Sequence, residues 1–269
     1  MGIYACHRPW ASVESIAFAA KHGLGLNVDL WLPQYLDERP TAEIAAALRE
    51  RIPPGMPLSV HGAFLDLSFT SKDRRIQEVS RLRVEQSLQI AEALGAPCAV
   101  FHTGYSEGLL KWTQWSAGEY AGLVCEFWQR MSIPEGVEIV LENAEEERPE
   151  LLREMAVALR QSGIPVSVCF DVAHAHIFSP HPVSRWVSEL AEHLRWCHLS
   201  DNDGQVDSHL ALGTGGVDFT GFFAALKQRE LAPGLILELD DVGALSESLC
   251  FLRDVGAWRE WAGWGDGEC

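Results

Sequence analysis

The segment VSVCFDVAHAH, residues 166–176, carries the pattern that decides the fold. Its first six residues form a short apolar run that ends in the carboxylate of Asp171. Such a run is typical of a strand buried in a parallel sheet, and it predicts a strand from Val166 to Asp171. The amphipathic segments on either side, Pro149 to Ser162 and Val183 to His193, predict helices. The alternation indicates a β-α unit.

The same alternation continues along the whole chain of 269 residues. The other predicted strands are Ile3 to Ala5, Leu26 to Leu30, Leu58 to His61, Cys98 to His102, Glu138 to Glu142, Arg195 to His198 and Leu235 to Glu238. The other predicted helices are Ser12 to His22, Thr41 to Arg51, Arg75 to Leu94, Glu119 to Met131, Phe219 to Arg229 and Ala244 to Val255. Gly23 and Gly95 mark helix ends, whereas Ser12 and Thr41 mark helix starts. Eight pairs close a barrel, so the sequence predicts an α/β fold with one (β/α)8 barrel as a single domain over residues 1–269.

Composition and charge restrict the location and the partners of the protein. The sequence has no long apolar run and no basic segment followed by an apolar stretch at its start, which predicts a cytoplasmic protein without a membrane span. The seven cysteines are odd in number and lack CxxC spacing, so we expect buried free thiols. The net charge of -17 opposes a polyphosphate backbone and favours a small-molecule substrate over nucleic acid. The sequence shows no exposed apolar stripe of the kind that would indicate an oligomer.

Side chains that can bind a metal stand where most of the predicted strands end. In a (β/α)8 barrel the carboxyl ends of all strands meet on one face, so these residues become neighbours. A single strand-end histidine is more often structural, but six strand ends in phase favour a metal site. Imidazole and carboxylate ligands without thiolate suit Zn2+, Mn2+ or Co2+. The candidate ligands are His61, His102, Glu142, Asp171, His198 and Glu238 at strand ends, with His174, Asp207 and His209 in the loops that follow.

Other polar and aromatic features favour structural roles. His7, His22, His181 and His193 are assigned to helices or loops with surface or capping roles, and His176 is ambiguous. GTGGVDF, residues 213–219, predicts a turn that leads into a helix, because the Lys of a phosphate loop is absent. The run Glu145, Glu146 and Glu147 is interpreted as solvated. Trp10, Trp31, Trp112 and Trp115 fall near the ligand face, where they line a pocket or serve packing.

Taken together, these motifs resemble the xylose isomerase-like barrels, a superfamily that includes the endonuclease IV enzymes. The resemblance spans nearly the whole chain and rests on HGAFLDL at His61, FHTG at His102, LEN at Glu142, FDVAHA at Asp171, HLSDNDGQVDSHLALGTG from His198 through His209, and LELD at Glu238. In the sugar isomerase and epimerase branch, it implies one metal held by Glu142, Asp171, His198 and Glu238. There the two glutamates also move protons. That branch usually adds an arginine after the seventh-strand histidine, where this chain has Asp201, Asn202 and Asp203.

The endonuclease IV branch implies three zinc ions and nine ligands, and all nine have a match in residue type. The loops that would grip DNA carry acidic residues, and only Lys72, Arg74 and Arg75 form a basic group. The leading hypothesis is therefore a multi-zinc hydrolase of a small phosphodiester, such as a nucleotide-like or cobamide-type metabolite, rather than an endonuclease acting on DNA. The alternative is a mononuclear Mn2+ or Zn2+ sugar or sugar-phosphate isomerase or epimerase, with Glu142 and Glu238 as its acid and base. A third hypothesis is a metal-dependent binding protein without turnover.

Overall fold

A computed structural model describes residues 2–256, which form a closed barrel of eight parallel strands. Each strand pairs with the next along the chain, and the last pairs with the first. The strands are β1 Ile3–His7, β2 Gly25–Asp29, β3 Leu58–His61, β4 Cys98–His102, β5 Glu138–Glu142, β6 Val166–Asp171, β7 Leu194–Leu199 and β8 Gly234–Leu237. The predicted (β/α)8 barrel is confirmed. The predicted domain bounds also include Met1 and residues 257–269, which lie outside the described residues.

Helices connect the strands and surround the barrel. They are α1 Glu14–His22, α2 Tyr35–Glu38, α3 Thr41–Arg51, α4 Arg74–Leu94, α5 Glu107–Thr113, α6 Ala117–Gln129, α7 Pro149–Gln161, α8 Val172–Phe178, α9 Val183–Leu190, α10 Phe219–Gln228 and α11 Val242–Asp254. The short helices α2, α5 and α8 were not predicted, because one or two turns are too short to show a helical period. α8 follows β6 directly, and the Asp171 carboxylate caps it by accepting a bond from the His174 N–H at 2.6 Å.

The predicted helix ends at Gly23 and Gly95 and the predicted start at Thr41 are confirmed, whereas the start at Ser12 is two residues early. Gly23 and Gly95 have φ angles of 58° and 72°, a left-handed conformation that glycine adopts without a steric penalty. Ser12 lies before α1 and donates to the Glu14 carboxylate instead of capping the backbone. Thr41 is the first residue of α3, but its hydroxyl donates to Gln89. Neither hydroxyl therefore caps its helix, because Ser12 bonds to a neighbouring side chain and Thr41 to a distant one.

The lower part of the barrel interior is apolar and filled. Successive side chains of a strand point to opposite faces, so the residue two positions before a strand-end ligand also points inward. The inward residues below the strand ends form one buried cluster: Tyr4, Cys98, Val100, Val140, Cys169, Trp196 and Ile236. A larger buried cluster lies between the strands and the helices. Asn27 and Ser59, two positions before Asp29 and His61, are buried at the same level, and the Ser59 hydroxyl donates to Oδ1 of Asn27 at 2.8 Å. The candidate ligands predicted on the strands lie above this layer, at the carboxyl ends.

The state of the cysteines and the hydropathy of the helices can be compared with what the sequence predicts. The described cysteines are free, and all of them except Cys250 are buried. Cys269 lies outside the described residues. None of the helices within residues 2–256 is long and apolar enough to cross a membrane. The cytoplasmic location stays a prediction.

We expect Gly25→Ala to destabilise the barrel by about 1–3 kcal/mol, because overpacking a filled interior forces its neighbours to move. A Cβ at Gly25 would lie 2.3 Å from Cδ1 of the Tyr4 ring inside the barrel. Urea denaturation would measure the free energy of unfolding. Gly122→Ala, on the exposed side of α6 with no atom within 4 Å of the new Cβ, is the matched control and should stabilise by roughly 0.5–1 kcal/mol. Equal stabilities of the two variants would contradict the packing account.

Candidate metal centre

A ring of acidic and imidazole side chains occupies the carboxyl ends of the strands. The register of the sheet pairs Asp29 with His61, His102 with Glu142, and Asp171 with His198. Because neighbouring strands end at the same level, these inward side chains form one layer above the apolar cluster. The barrel therefore brings together residues that are more than a hundred positions apart in sequence.

Glu142, at the end of β5, lies at the centre of this layer and is completely buried. Its Oε2 lies 3.0 Å from Nε2 of His61 and 3.7 Å from Nε2 of His102. Its Oε1 lies 2.9 Å from Nδ1 of His198 and 3.8 Å from Nδ1 of His174. The two oxygens thus face different imidazoles.

Two further carboxylates complete the group around His198. Nδ1 of His198 lies 3.0 Å from Glu238 and 4.0 Å from Asp171. Glu142, Asp171, His198 and Glu238 each offer a ligand atom within 4.8 Å of the others. His61, His102 and Glu142 form a second such group, which shares Glu142 with the first. His61, His198 and Glu238 form a third, so the groups overlap.

The remaining three predicted residues lie at the edge of the ring. Asp207, in the loop after β7, places its Oδ2 3.3 Å from Nε2 of His174 and 3.0 Å from Nε2 of His209. The backbone of His209 has a φ of 45°, an uncommon conformation outside glycine. The structure therefore brings all nine predicted residues into one connected cluster. Their role as metal ligands stays a prediction.

The cluster has an excess of buried negative charge that needs cations. Burial alone would raise the pKa of Glu142, but His198, His102 and His61 hold it well below its ordinary value. The pKa of Asp171 rises to about 7 through burial and the other carboxylates, despite the opposing effect of His174. Glu238 is lowered to a pKa of about 2 because His198 outweighs the effect of burial.

The histidines respond in the opposite direction. Burial lowers the pKa of an imidazole, yet Asp171, Asp207 and Glu142 raise that of His174 well above the ordinary value. Cys169, followed by Glu142 and Glu238, does the same for His198. Asp207 and Asp240 raise the pKa of His209 to about 11. His102 is the exception, since burial lowers its pKa to about 3. Without a metal, protonated imidazoles supply the positive charge that the carboxylates require, and bound cations would replace those protons.

Two sequence interpretations outside the cluster are wrong. His7 ends β1 and is buried, and its Nδ1 lies 2.9 Å from the Ser15 hydroxyl, so it has no surface role. His193 is buried as well. Glu146 is completely buried rather than solvated; it accepts bonds from the Thr103 hydroxyl and from the Ala144 N–H at 2.7 Å. Burial raises the pKa of Glu146 to about 7. Each of these contacts depends on a partner that the local sequence does not reveal.

The glycine-rich turn and His176 stay apart from the metal ligands. The turn at residues 213–217 wraps around Asp201, whose carboxylate accepts from the N–H groups of Gly213, Gly215 and Val217 at 2.9 to 3.0 Å. α10 then begins at Phe219, which confirms a turn leading into a helix. His176 contacts Asn202 at 2.7 Å.

Aromatic residues extend the cluster toward the protein surface. The His102 ring stacks on Phe64 with centroids 4.2 Å apart, and Phe64 stacks on Trp31 at 6.5 Å. Trp10 packs edge-on against Trp31 at 5.9 Å. Trp112, on α5, is 90% exposed. The mouth of the barrel thus has one aromatic side, next to His102.

Sequence reasoning missed several residues that contact the cluster. Cys169 reaches Glu142 and His198, and its place two residues before Asp171 on the same strand face is the signal that could have found it. Burial raises the pKa of this thiol to about 12. Asp29 ends β2 inside the run LNVDLWL, which is the same strand-end signal. Arg8 and Asp240 gave no sequence signal.

A family comparison agrees with this geometry. The family model described as xylose isomerase-like TIM barrel matches residues 16–255. The chain therefore belongs to the xylose isomerase-like TIM barrel family. An endonuclease and epimerases are among the solved structures that resemble it.

Several solved structures resemble this chain along nearly its full length. The TTHB071 protein from Thermus thermophilus, described as soaking with ZnCl2, is 30% identical, with a TM-score of 0.73 over 96% of this chain and 98% of the other. A D-tagatose 3-epimerase-like protein is 21% identical, with a TM-score of 0.76 over 96% and 97% of the two chains. Endonuclease IV from Thermus thermophilus is 20% identical, with a TM-score of 0.67 over 97% and 99%. The latter two likenesses show the shared fold.

We expect zinc binding at pH 7 to release more than one proton per chain. The carboxylates raise the pKa of His174, His198 and His209, so these imidazoles carry protons that a metal must displace. Zinc affinity should consequently fall as the pH is lowered. Isothermal titration calorimetry in buffers of different ionisation enthalpy would count the protons, with His22→Gln as a control outside the cluster. A heat of binding that is independent of the buffer would contradict the charge balance described above.

Proposed function

We propose that this protein is a multi-zinc phosphodiesterase that acts on a small-molecule substrate. The observation that carries the proposal is the position of Glu142, whose two oxygens face separate imidazole groups at 3.0 and 2.9 Å. A single ion would need one of these groups only. The contact of Asp207 with both His174 and His209 adds a third place where nitrogen and oxygen ligands converge.

The residues fit zinc by their chemistry. All nine are nitrogen or oxygen donors, which zinc accepts in proteins. The residues that would hold the ions are His61, His102, Glu142, Asp171, His174, His198, Asp207, His209 and Glu238. Bound zinc ions would supply Lewis acidity and positive charge to an anionic phosphodiester, and they would lower the pKa of water.

The chain itself contributes positioning and the exclusion of water. Completely buried Glu142, His61 and His198 hold the base of the site rigidly, because close packing restricts their rotamers. His102 is partly open, with a side-chain exposure of 16%, and it lies at the aromatic side of the mouth. A substrate would therefore approach between the partly exposed His102 and the loop that carries Asp207.

The charge of the chain supports a small substrate over DNA. The net charge of -17 repels an extended polyphosphate, whereas one phosphodiester group at the metal ions would meet local positive charge. Asp240 is 55% exposed at the mouth and would meet a DNA backbone with like charge. Nucleotide-like and cobamide-type metabolites combine one phosphodiester with a planar group that could lie against Trp31 and Phe64.

Metal counting tests the proposal directly. Protein purified without chelator should hold more than one zinc ion per chain by mass spectrometry, and it should cleave bis(p-nitrophenyl) phosphate. Glu142→Gln should lower the rate by at least on the order of a hundredfold, because it removes the charge shared by two groups of ligands. Glu147→Gln, an exposed neighbour in the same loop, is the matched control and should retain the wild-type rate. One ion per chain would remove the main support for this function.

A second candidate is a mononuclear Mn2+ or Zn2+ sugar or sugar-phosphate epimerase. It is favoured by the compact group of Glu142, Asp171, His198 and Glu238, whose ligand atoms lie within 4.8 Å of one another. In this function, Glu142 and Glu238 would exchange protons with a ketose. Asp201 and Asn202 are buried. The Asp201 carboxylate is hydrogen-bonded to the glycine-rich turn, and the Asn202 side chain contacts His176, so neither can replace the substrate-binding arginine of that branch.

Incorporation of solvent deuterium separates the two functions. An epimerase should incorporate deuterium at a carbon next to the carbonyl of a ketose, and Glu238→Gln should abolish the incorporation. A phosphodiesterase should leave every ketose of the panel unlabelled while it cleaves the aryl phosphodiester. Labelling of a ketose by protein that holds one ion per chain would favour the epimerase.

A further inference from the structure

His209 has one nitrogen on each of two carboxylates. Its Nε2 lies 3.0 Å from Asp207, toward the cluster, and its Nδ1 lies 3.8 Å from Asp240, away from it. The distance to Asp240 is within ion-pair range, although it is longer than a hydrogen bond. A carboxylate beside Nδ1 favours the proton on that nitrogen, which leaves Nε2 free to bind a metal.

Two other histidines of the cluster have the same arrangement. Nδ1 of His61 lies 2.9 Å from the Gly62 carbonyl, and its Nε2 faces Glu142. Nδ1 of His174 lies 2.8 Å from the Asn143 carbonyl, and its Nε2 faces Asp207. A backbone acceptor therefore fixes each of these rings. His209 differs because its outer acceptor is a side chain, which itself needs support.

Arg8 supplies that support. It follows directly after β1, and its Nη2 lies 2.6 Å from the Asp240 carboxylate. Its Nε lies 3.5 Å from Asp29, at the buried end of β2, and its guanidinium lies 5.8 Å from the centre of the Trp31 ring. Arg8 thus ties the loop after β8 to the ends of β1 and β2.

The backbone of His209 is anchored independently of its ring. Leu210 exchanges two hydrogen bonds with Asp201, at 2.8 and 2.9 Å, which fixes the chain immediately after His209. Loss of the contact to Asp240 should therefore change the orientation of the ring without releasing the loop.

We propose that Asp240 and Arg8 are positioning residues that orient His209 for metal binding, with Arg8 acting through Asp240. This inference rests on the proposed multi-zinc site. In it, the Arg8–Asp240 ion pair, which lies outside the nine ligands, keeps His209 in position beside Asp207. The ion held through His209 should be the one that depends on this pair. The ions at Glu142 should not depend on it.

The test measures zinc stoichiometry and affinity with a competing chromophoric chelator. Asp240→Asn and Arg8→Gln should each weaken one zinc site by about 10- to 100-fold and leave the other sites at wild-type affinity. The double variant should bind zinc no more weakly than Asp240→Asn alone, because the effects of two coupled residues on affinity do not add. Glu145→Gln and Arg39→Gln are the controls for loss of an exposed charge on neighbouring loops.

Thermal unfolding of the metal-free variants separates positioning from a loss of structure. All single variants should unfold within a few degrees of the wild type, while only Asp240→Asn and Arg8→Gln lose a zinc site. Wild-type stoichiometry and affinity in Asp240→Asn would overturn this inference and leave the proposed function intact. A wild-type protein that binds one ion would overturn both. Additive losses in the double variant would show that Arg8 does not act through Asp240.

Discussion

The candidate site depends on the compensation of one buried carboxylate, that of Glu142. A carboxylate removed from water is costly unless cations and hydrogen bonds surround it. Its partners come from other β-α units: His61 from β3, His174 from α8 and His198 from β7. None of these partners is close to Glu142 in sequence, so the contacts form only when the barrel brings the strand ends together. The compensation of this charge therefore depends on the fold.

The barrel and most of the ring could be predicted because their signals are local. An apolar run that ends in a polar residue marks both a buried strand and the end that faces the active side of a barrel. Four of the eight predicted strands have the observed bounds, and the bounds of the other four differ by one or two residues. Those shifts left the candidate ligands on the inward face, because side-chain direction follows the alternation of the strand. Asp29 carries the same signal, but the hydrophobic residues that follow it conceal the strand end.

The missed features depend on contacts between distant segments. Three consecutive glutamates give no indication that the middle one, Glu146, turns inward to accept a bond from Thr103 of another β-α unit. The Asp171 carboxylate caps the start of helix α8. The sequence pattern predicts the same residue as a metal ligand and gives no sign of this capping role. Arg8 and Asp240 lie at opposite ends of the chain, and closure between β1 and β8 makes them neighbours.

The two candidate functions differ in what they require of the loop after β7. The mononuclear group needs only His198 from this part of the chain, and it would function with any loop that leaves the mouth open. The observed loop instead places Asp207 between two imidazoles, holds His209 at a φ of 45°, and meets Asp240 on its far side. An uncommon backbone conformation at a non-glycine residue costs free energy, and surrounding contacts must maintain it. The two hydrogen bonds between Leu210 and Asp201 maintain it here, and they hold His209 beside Asp207. The proposed multi-zinc site would use that position of His209, whereas the mononuclear group would not.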